Sequence, residues 1–496
     1  MKPEVLLSFV VVYFLLLLTV AYFTSRNSNN DTFFIGNKSS NWMLVAFGMI
    51  GTSLSGVTFV SVPGAVAKES FAYFQVTIGY MAGYLAIAFV LIPLFYRLNL
   101  TSIYHYLSTR LGFRAYKTGA SFFILSRTLG ATARLYLVVN ILQAAILDQW
   151  HVPFWLTTLI ILIMILLYTF EGGVKTIVYT DTLQTTCMLA GLVICIIYIL
   201  HTLHLGVGDS LAAMKEHGYS KIFNTDPNSK FFFVKQLLAG AFIALTMTGM
   251  DQEMMQKNIS VKTSVDSRKN VVSLGIIMII VVGLFLFLGG LLYLYAANLG
   301  GHFEGAKYIV NGVDATGDKL FPFIALYHMT PLIAIIFIIA LISALFPSAD
   351  GAITALTSSF CIDIIGLQRR EDLDDRQKKA LRQRVHLVFA AIFLLIVMIY
   401  KWISDPSMIG LILKVAAYTY GPLLGLFSFG ILTKRTVNDK LVPLVCVAAP
   451  LLCYLMEAFQ KQLFGSFEIG LELLIINGGL TFLGLWAISK KPAPTN

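Results

Sequence analysis

Long apolar runs recur along the whole 496-residue chain and are separated by short polar segments. A helical run of about 20 apolar residues crosses ~30 Å of hydrocarbon, whereas a membrane barrel would show short alternating strands. The pattern predicts an all-α polytopic membrane protein with thirteen spans. These predicted spans cover residues 5–25, 41–66, 71–97, 117–144, 153–171, 178–203, 231–256, 270–297, 322–366, 385–403, 406–433, 441–458 and 467–489.

Two of these spans carry small and polar residues at mid-depth. The second contains "GTSLSGVTF" (51–59), and the seventh contains "LTMTGMDQEMMQK" (245–257). Such clusters either permit close helix packing or mark helices that unwind and free backbone carbonyls for a cation. The two clusters lie five spans apart, which fits an inverted five-plus-five repeat preceded by one extra helix. This regularity favours unwound helices.

We expect one transmembrane domain over residues 1–496, because no linker or low-complexity segment divides the chain. The polar stretches 204–230 and 298–321 are predicted to be loops with short interfacial helices. The predicted parts are an extra N-terminal helix with its loop (5–40), a first inverted repeat (41–206), a second inverted repeat (230–433) and two C-terminal helices (438–490).

The composition agrees with a membrane protein, since 57% of the residues are hydrophobic and 12% are charged. The first apolar run lacks an A-x-A-like cleavage site, so we interpret it as a retained helix rather than a signal peptide. The five cysteines and eight histidines show no spacing typical of disulfides or transition-metal sites. No nucleophile with a base and no phosphate loop is visible, so we expect neither an enzyme nor a cofactor.

The net charge of +10 lies in the loops, and it lies mainly on one side of the membrane. The positive-inside rule assigns that side to the cytoplasm of a plasma or bacterial inner membrane, with the N-terminus outside and the C-terminus inside. The expected partners are therefore lipid, a small solute and an ion, and not nucleic acid. The basic residues counted on the cytoplasmic side are Arg97, Arg110, Arg114, Lys117, Lys257, Lys262, Arg268, Lys269, those of 367–384, Lys434, Arg435, Lys490 and Lys491.

An acidic residue enters the predicted sixth span in "YTFEGGVKTIVYTDTLQ" (168–184). Gly172 and Gly173 predict a tight cytoplasmic turn, and Asp181 follows inside the membrane. Because a carboxylate in hydrocarbon is costly, a functional partner is the default expectation. A purely structural hydrogen-bonding role for Asp181 is the alternative.

This stretch resembles the signature of the sodium:solute symporter family, which includes sodium-coupled sugar, proline, pantothenate and sialic acid transporters. Three more stretches are similar to family segments: "GTSLSGVTF" to the broken first core helix, "TGMDQEMMQK" (248–257) to a "G-x-DQ-x-x-x-QR" segment, and "YGPLLGLFSFGILTKR" (420–435) to the tenth core helix. The resemblance implies a leucine-transporter-like fold with a 5+5 inverted repeat. It also implies alternating access driven by the inward sodium gradient.

The resemblance further implies a sodium site between the first and eighth core helices, the latter aligned through "TSSFCIDI" (357–364). The family has a serine pair where this chain has Pro347 and Ser348, so one hydroxyl ligand is missing. Proline has no N–H to donate, and we expect the freed Ser343 carbonyl to replace that ligand. The implied sodium-binding residues are Gly51, Leu54, Ala344, Pro347 and Ser348.

A second cation site is implied at Asp181, Asp350 and Gly351. Without a cation, two neighbouring carboxylates repel each other and one takes up a proton. A second sodium ion or a proton would therefore bind there. The alternative is that Asp350 pairs with Arg127 or Arg134 of the fourth span.

These two arginines lie seven residues apart, on one face of an otherwise apolar helix. Each requires a carboxylate, either from the protein or from a substrate. In sialic acid transporters of the family an arginine of the equivalent helix receives the substrate carboxylate, although its aligned position here is Gly130. The predicted substrate residues are Ser53, Ser55, Thr58, Tyr73, Phe74, Gln75, Thr77 and Arg134.

The sequence thus predicts sodium-coupled symport of a small organic solute, which is a sugar, a sugar acid, an amino acid or a carboxylate. The alternative on the same scaffold is a proton-coupled carrier that uses Asp181 and Asp350. A channel or a nutrient sensor is less favoured, because paired broken helices are typical of carriers.

Overall fold

The computed structural model describes residues 3–25, 40–402 and 407–491, except for the side chains of 25 and 170–175. The helices of the first half are α1 (Pro3–Ser25), α2 (Trp42–Ser53), α3 (Gly56–Glu69), α4 (Tyr73–Ala86), α5 (Ile92–Arg97), α6 (His105–Arg110), α7 (Phe113–Leu142), α8 (Phe154–Leu203), α9 (Val207–Glu216), α10 (Phe233–Met247) and α11 (Gln252–Ile259). Those of the second half are α12 (Ser264–Asn298), α13 (Leu320–Tyr327), α14 (Pro331–Ser359), α15 (Asp375–Tyr400), α16 (Met408–Thr419), α17 (Gly421–Leu432), α18 (Val442–Ala458), α19 (Gln460–Phe464) and α20 (Leu473–Ala487). Short π-helical turns continue α4, α7 and α14 at Ile87–Leu91, Gln143–Leu147 and Phe360–Ile365.

The predicted all-α membrane fold class is confirmed, since nearly all of the described secondary structure is helical. Within the described ranges, eight helices are long and apolar enough to cross a membrane, and three bent helix pairs raise that number to eleven. Two shorter apolar helices cover Phe154–Thr169 and Leu473–Ala487. The count of thirteen spans stays a prediction.

Three spans in the described part of the chain are broken. The axes of α2 and α3 meet at 55°, those of α10 and α11 at 66°, and those of α16 and α17 at 45°. The first two breaks lie where the sequence predicts unwound helices. The third lies in a segment that was predicted as one continuous span. Pro422 lies in the first turn of α17. Because proline has no N–H to donate, it is tolerated in the first turn of a helix but breaks or kinks a helix interior.

Two glycines allow α4 and α10 to pack closely. A Cβ on Gly79 of α4 would overlap the Leu237 carbonyl of α10, and one on Gly240 of α10 would overlap the Val76 carbonyl of α4. Backbones approach this closely in membranes only where small residues face each other. Gly240 is therefore a packing residue and lies away from the break that follows α10.

Helix α8 runs from Phe154 to Leu203 as one helix, so the tight turn predicted at Gly172 and Gly173 between two spans is not what the structure shows. The Tyr168 hydroxyl, in the first half of this helix, donates to Asp350 of α14 at 2.7 Å.

The extramembrane segments contain structure that the sequence analysis did not predict. Strands β1 (His302–Glu304), β2 (Lys307–Val310) and β3 (Val313–Asp314) form an antiparallel sheet in the predicted loop 298–321. Strands β4 (Thr436–Val437) and β5 (Ser489–Lys490) pair near the C-terminal end of the described chain. Helix α9 agrees with the short helix expected in 204–230.

Helix α15 begins ten residues before the predicted span 385–403. Its start is a capping box, in which the Asp374 side chain accepts from the Gln377 amide at 2.7 Å and the Gln377 side chain accepts from the Asp374 amide at 3.0 Å. These bonds satisfy backbone donors that a helix start otherwise leaves free. The charged run 367–384 thus contributes the first turns of a span.

Candidate functional site

A central cavity opens beside the break between α2 and α3. Its free volume is about 80 Å³, below the ~300–1,000 Å³ usual for small-molecule sites. Helices α10, α12 and α16 supply most of its apolar wall. Its polar lining residues are Thr52, Ser53, Ser55, Thr58, Tyr73, Tyr80, Tyr84, Arg127, Arg134 and Thr248.

Five of the eight predicted substrate residues line this cavity: Ser53, Ser55, Thr58, Tyr73 and Arg134. The other three residues do not line it. Gln75 donates to the Ala72 and Phe231 carbonyls at 3.1 and 3.3 Å, and Thr77 donates to the Tyr73 carbonyl at 3.2 Å. Phe74 faces α12 at Gly283.

Sequence reasoning missed the tyrosines further along α4. Tyr73, Tyr80 and Tyr84 lie at i, i+7 and i+11, so they share one helical face, and the hydroxyls of Tyr73 and Tyr80 are 3.1 Å apart. In the sequence, the only signal for this face is the spacing of the three tyrosines, seven and then four residues apart. Three phenol groups consequently face the cavity from one helix.

The two buried arginines of α7 have different surroundings. Arg127 pairs with Glu253 and lies 3.9 Å from Asp251. Arg134 has no hydrogen bond or ion pair with any described residue, although it is only 9% exposed. A buried guanidinium without a counter-charge is costly, so Arg134 is available for an anion in the cavity.

Two of the predicted sodium-binding residues, Gly51 and Pro347, meet where α2 passes α14. A Cβ on Gly51 would lie 3.5 Å from Pro347 Cγ, so these two positions are in close contact. Because α2 ends at Ser53 and α3 starts at Gly56, the last carbonyls of α2 lack helical partners. Leu54 lies in this gap with φ −95° and ψ 86°, outside the helical region.

On α14, Ala344, Pro347 and Ser348 are buried. The helix continues through Pro347, which frees the Ser343 carbonyl without breaking α14. The Ser348 hydroxyl donates to the Leu345 carbonyl at 2.8 Å, so its oxygen lone pairs remain available as a ligand.

A further oxygen faces this position from α8. Thr185 is buried, its hydroxyl has no hydrogen-bond partner among the described residues, and a Cβ on Gly51 would overlap it. Buried polar atoms normally have partners, so an orphaned hydroxyl beside a helix break fits a cation ligand. Thr185 was missed by sequence reasoning, and the available signal was its spacing, four residues after Asp181.

The predicted second cation site contains a lysine. The Lys257 Nζ lies 2.7 Å from Asp181 Oδ2, 2.7 Å from Thr52 Oγ1 and 3.6 Å from Glu253 Oε1. Gly351 is adjacent, since a Cβ there would lie 3.3 Å from this ammonium group.

The assignment of Lys257 to the cytoplasmic loop charges was wrong, because the residue is only 3% exposed. It lies on α11, whose eight residues are all buried. A helix that re-enters the protein after a break carries its charges inward, and a count of loop charges does not register this.

Asp350 contacts neither arginine. Its carboxylate accepts from the Tyr168 hydroxyl at 2.7 Å and from the Gly351 amide at 2.5 Å. The expected alternative of an ion pair with Arg127 or Arg134 is therefore not what the structure shows.

The "DQ" of the seventh span organises the break between α10 and α11. Asp251 caps α11 by accepting from the Glu253 and Met254 amides at 2.9 and 3.2 Å, and it also accepts from the Tyr420 hydroxyl at 2.6 Å. Tyr420 lies between α16 and α17, so this bond joins two broken helices. The Gln252 side chain accepts from the Ile103 amide and donates to the Thr101 carbonyl, both at 3.0 Å.

Comparison with known proteins finds relatives that are sodium-coupled transporters. The chain matches the sodium:solute symporter family profile over residues 33–440. It is 26% identical to sodium-coupled monocarboxylate transporter 1 of Mus musculus over 81% of this chain, and it spans 64% of that relative. It is 23% identical to the sodium/sialic acid symporter NanT of Aliivibrio fischeri, covering 93% of this chain and 89% of that one. It is also 23% identical to the sodium/iodide cotransporter of Homo sapiens, covering 81% of this chain and 61% of that one.

Solved structures show the same fold. A Na+-coupled sialic acid symporter in a substrate-bound outward-open state superposes with a TM-score of 0.82 over 98% of this chain and 99% of that one, at 18% identity. A nucleobase-cation-symport-1 family transporter gives a TM-score of 0.58 over 93% of this chain and 95% of that one, at 12% identity. The expected leucine-transporter-like fold is confirmed. The chain belongs to the sodium:solute symporter family and is a sodium-coupled solute symporter, not an enzyme.

Proposed function

We propose that this transporter carries a small carboxylate anion together with Na+, and that Arg134 anchors the carboxylate in the central cavity. The observation that supports this proposal best is that Arg134 is buried in the cavity wall with no described protein partner. Arg127, one heptad earlier on α7, is already neutralised by Glu253.

The chemistry of the cavity fits such an anion. A guanidinium binds a carboxylate through two parallel hydrogen bonds, and binding is strong where water is excluded. The tyrosine hydroxyls of α4 and Ser55 and Thr58 of α3 can orient the rest of a polar solute. The apolar residues of α10 and α16 suit a short carbon chain or ring face.

The names of the relatives support an anionic substrate. Monocarboxylates and sialic acid carry a carboxylate at neutral pH, and iodide is an anion as well. A site that presents one unpaired guanidinium would serve any of these. The hydroxyl-rich lining favours a carboxylate over a bare halide in this chain.

We further propose that the coupling Na+ binds between α2, α14 and α8. Its ligands would be the Gly51 and Leu54 carbonyls, the Ala344 carbonyl and the Ser348 hydroxyl, with Pro347 freeing the Ser343 carbonyl. The Thr185 hydroxyl supplies the oxygen that a serine at 347 would otherwise give. Both this site and the cavity adjoin the break between α2 and α3, so filling one organises the other.

The chain is a multi-pass membrane protein, and we propose the orientation predicted from its charges. The arginine- and lysine-rich loops would face the cytoplasm of the plasma or bacterial inner membrane, with the N-terminus outside. The inward sodium gradient then drives uptake of the carboxylate. Membrane lipid is the only other partner that the proposal requires.

A thermal-shift and binding screen of the purified protein tests this function. Monocarboxylates, sialic acids, neutral sugars and amino acids would each be added in Na+ and in K+ buffers. We expect stabilisation by a carboxylate in Na+ only, and R134Q should weaken binding of that carboxylate by roughly 30-fold or more. R134Q should retain the stabilisation by Na+ alone.

R268Q is the matched control, because Arg268 lies near the start of α12, away from the cavity. It should bind the carboxylate like the wild type. Equal binding of a neutral sugar by the wild type and R134Q would overturn the carboxylate assignment.

A further inference from the structure

We propose that the ammonium group of Lys257 takes the place of a second coupling cation, so that the transporter binds one Na+ per cycle. This inference rests on the proposed function, because it takes the site between α2, α14 and α8 as the place where the one Na+ binds. It assigns the neighbouring acidic site to a cation that is part of the chain itself.

The Lys257 ammonium group sits among oxygens as a bound alkali ion would. It donates to Asp181 Oδ2 and Thr52 Oγ1, each at 2.7 Å, and Glu253 Oε1 lies 3.6 Å away. The Thr52 hydroxyl in turn lies 3.2 Å from Asp181 Oδ2. A lysine ammonium has three donors and no acceptor, so three surrounding oxygens match its chemistry.

The surrounding residues leave room for this lysine. A Cβ on Gly351 would overlap Glu253 Oε1 and crowd the Lys257 ammonium at 3.3 Å. Asp350, the other acid expected at this site, points to the Tyr168 hydroxyl instead. Asp181 is completely buried and its Oδ1 has no described hydrogen-bond partner, so this oxygen would be available to an ion if the ammonium group were removed.

The charges around the site show what removal of the lysine would do. Three buried carboxylates, those of Asp181, Asp251 and Glu253, lie near two buried bases, Lys257 and Arg127. Loss of the Lys257 charge would raise the excess of negative groups from one to two. Buried charges require compensation, and a Na+ ion from solution can supply it in the vacated oxygen cage.

A tethered cation differs from a free one in its effect on transport. Lys257 belongs to α11, Asp181 to α8 and Thr52 to α2, so the ammonium links three helices around the broken spans. It cannot leave with the substrate, and it therefore adds no energy from the ion gradient. Its role would be to hold the acidic site neutral while the single free Na+ drives uptake.

Counting bound Na+ tests the proposal without any substrate. Equilibrium binding of radiolabelled Na+ to purified protein would compare the wild type with K257Q, K262Q and the double variant D181N/K257Q. We expect one Na+ per chain for the wild type and two for K257Q. K262Q, at an exposed lysine, should bind one, and the double variant should also bind one because the extra negative charge is gone.

Two results would overturn the role of Lys257: two Na+ ions on the wild type, or one Na+ on a K257Q protein that elutes as a folded species in gel filtration. If K257Q does not fold, the wild-type count together with that of the charge-balanced double variant decides, and two ions on either protein overturn the proposal. No Na+ on the wild type but one on K257Q would instead overturn the proposed sodium site and leave the role of Lys257 intact.

Discussion

At the scale of single residues, the sequence predicted the important acidic residues but not the basic residues that pair with them. Asp181 stands out because a carboxylate inside a span is costly, and the structure places it in a buried charged cluster. Its partner Lys257 lies 76 positions away, in a segment that resembles a cytoplasmic loop. Pairing across such a distance depends on tertiary packing, which the local pattern of residues does not contain.

Gly351 gives a prediction at this scale. Replacing it by alanine places a Cβ against the Glu253 carboxylate, which Arg127 already holds. Overpacking of this kind typically costs about 1–3 kcal/mol, so G351A should lower the thermal unfolding midpoint measured by scanning fluorimetry.

Gly479 provides the control, since it is an exposed helical glycine with open space where its Cβ would be. G479A should leave the midpoint unchanged or raise it slightly, because alanine favours helix by about 1 kcal/mol. Equal midpoints for G351A and G479A would show that the Glu253 carboxylate can move away freely.

At the scale of helices, the breaks in the second and seventh spans were predictable because small and polar residues cluster at both. The break between α16 and α17 was not, since Gly421 and Pro422 sit in an otherwise apolar run that reads as one span. The sheet of β1 to β3 was also missed, because its strands of two to four residues are too short to show alternation.

The bond between Tyr420 and Asp251 predicts how two broken helices depend on each other. Y420F removes a 2.6 Å hydrogen bond to a buried carboxylate, and bonds to charged groups contribute about 1.5–3 kcal/mol. We expect a lower unfolding midpoint and slower transport in proteoliposomes. Na+ binding at the α2 break, which Tyr420 does not adjoin, should change little.

Y454F is the matched variant, because Tyr454 is 62% exposed on α18. Its stability and transport rate should equal those of the wild type. If Y420F and Y454F were equally stable, the Asp251 carboxylate would have to find another donor once Tyr420 is gone.

At the scale of the whole molecule, span pattern and motif spacing predicted the fold class, the two principal breaks and the family. The cavity was predicted less completely, because three residues near the start of α4 do not line it. Phe74 packs against α12, Gln75 donates to the Ala72 and Phe231 carbonyls, and Thr77 donates to the Tyr73 carbonyl. Which face of α4 looks inward is set by how α4 packs on α10. That packing depends on Gly79 and Gly240, whose roles appear only in three dimensions.

The geometry of the whole protein predicts reciprocal coupling between Na+ and substrate. Leu54 would take part in both proposed sites, since it lies in the α2–α3 break and lines the cavity. If Na+ raises substrate affinity by some factor, substrate must raise Na+ affinity by the same factor, typically 5–150-fold. Calorimetric titrations of each ligand, with and without the other, should give equal factors.

The Thr185 hydroxyl allows this coupling to be tested at one atom. T185V keeps the side-chain shape but removes the orphaned oxygen beside Gly51, so Na+ affinity and the Na+-dependent gain in substrate affinity should fall together. T186V is the control, because that exposed hydroxyl only donates to the Thr182 carbonyl at 2.8 Å. If T185V and T186V bound Na+ equally well, the sodium site would lie elsewhere, and the break between α2 and α3 would couple the two ligands without Thr185.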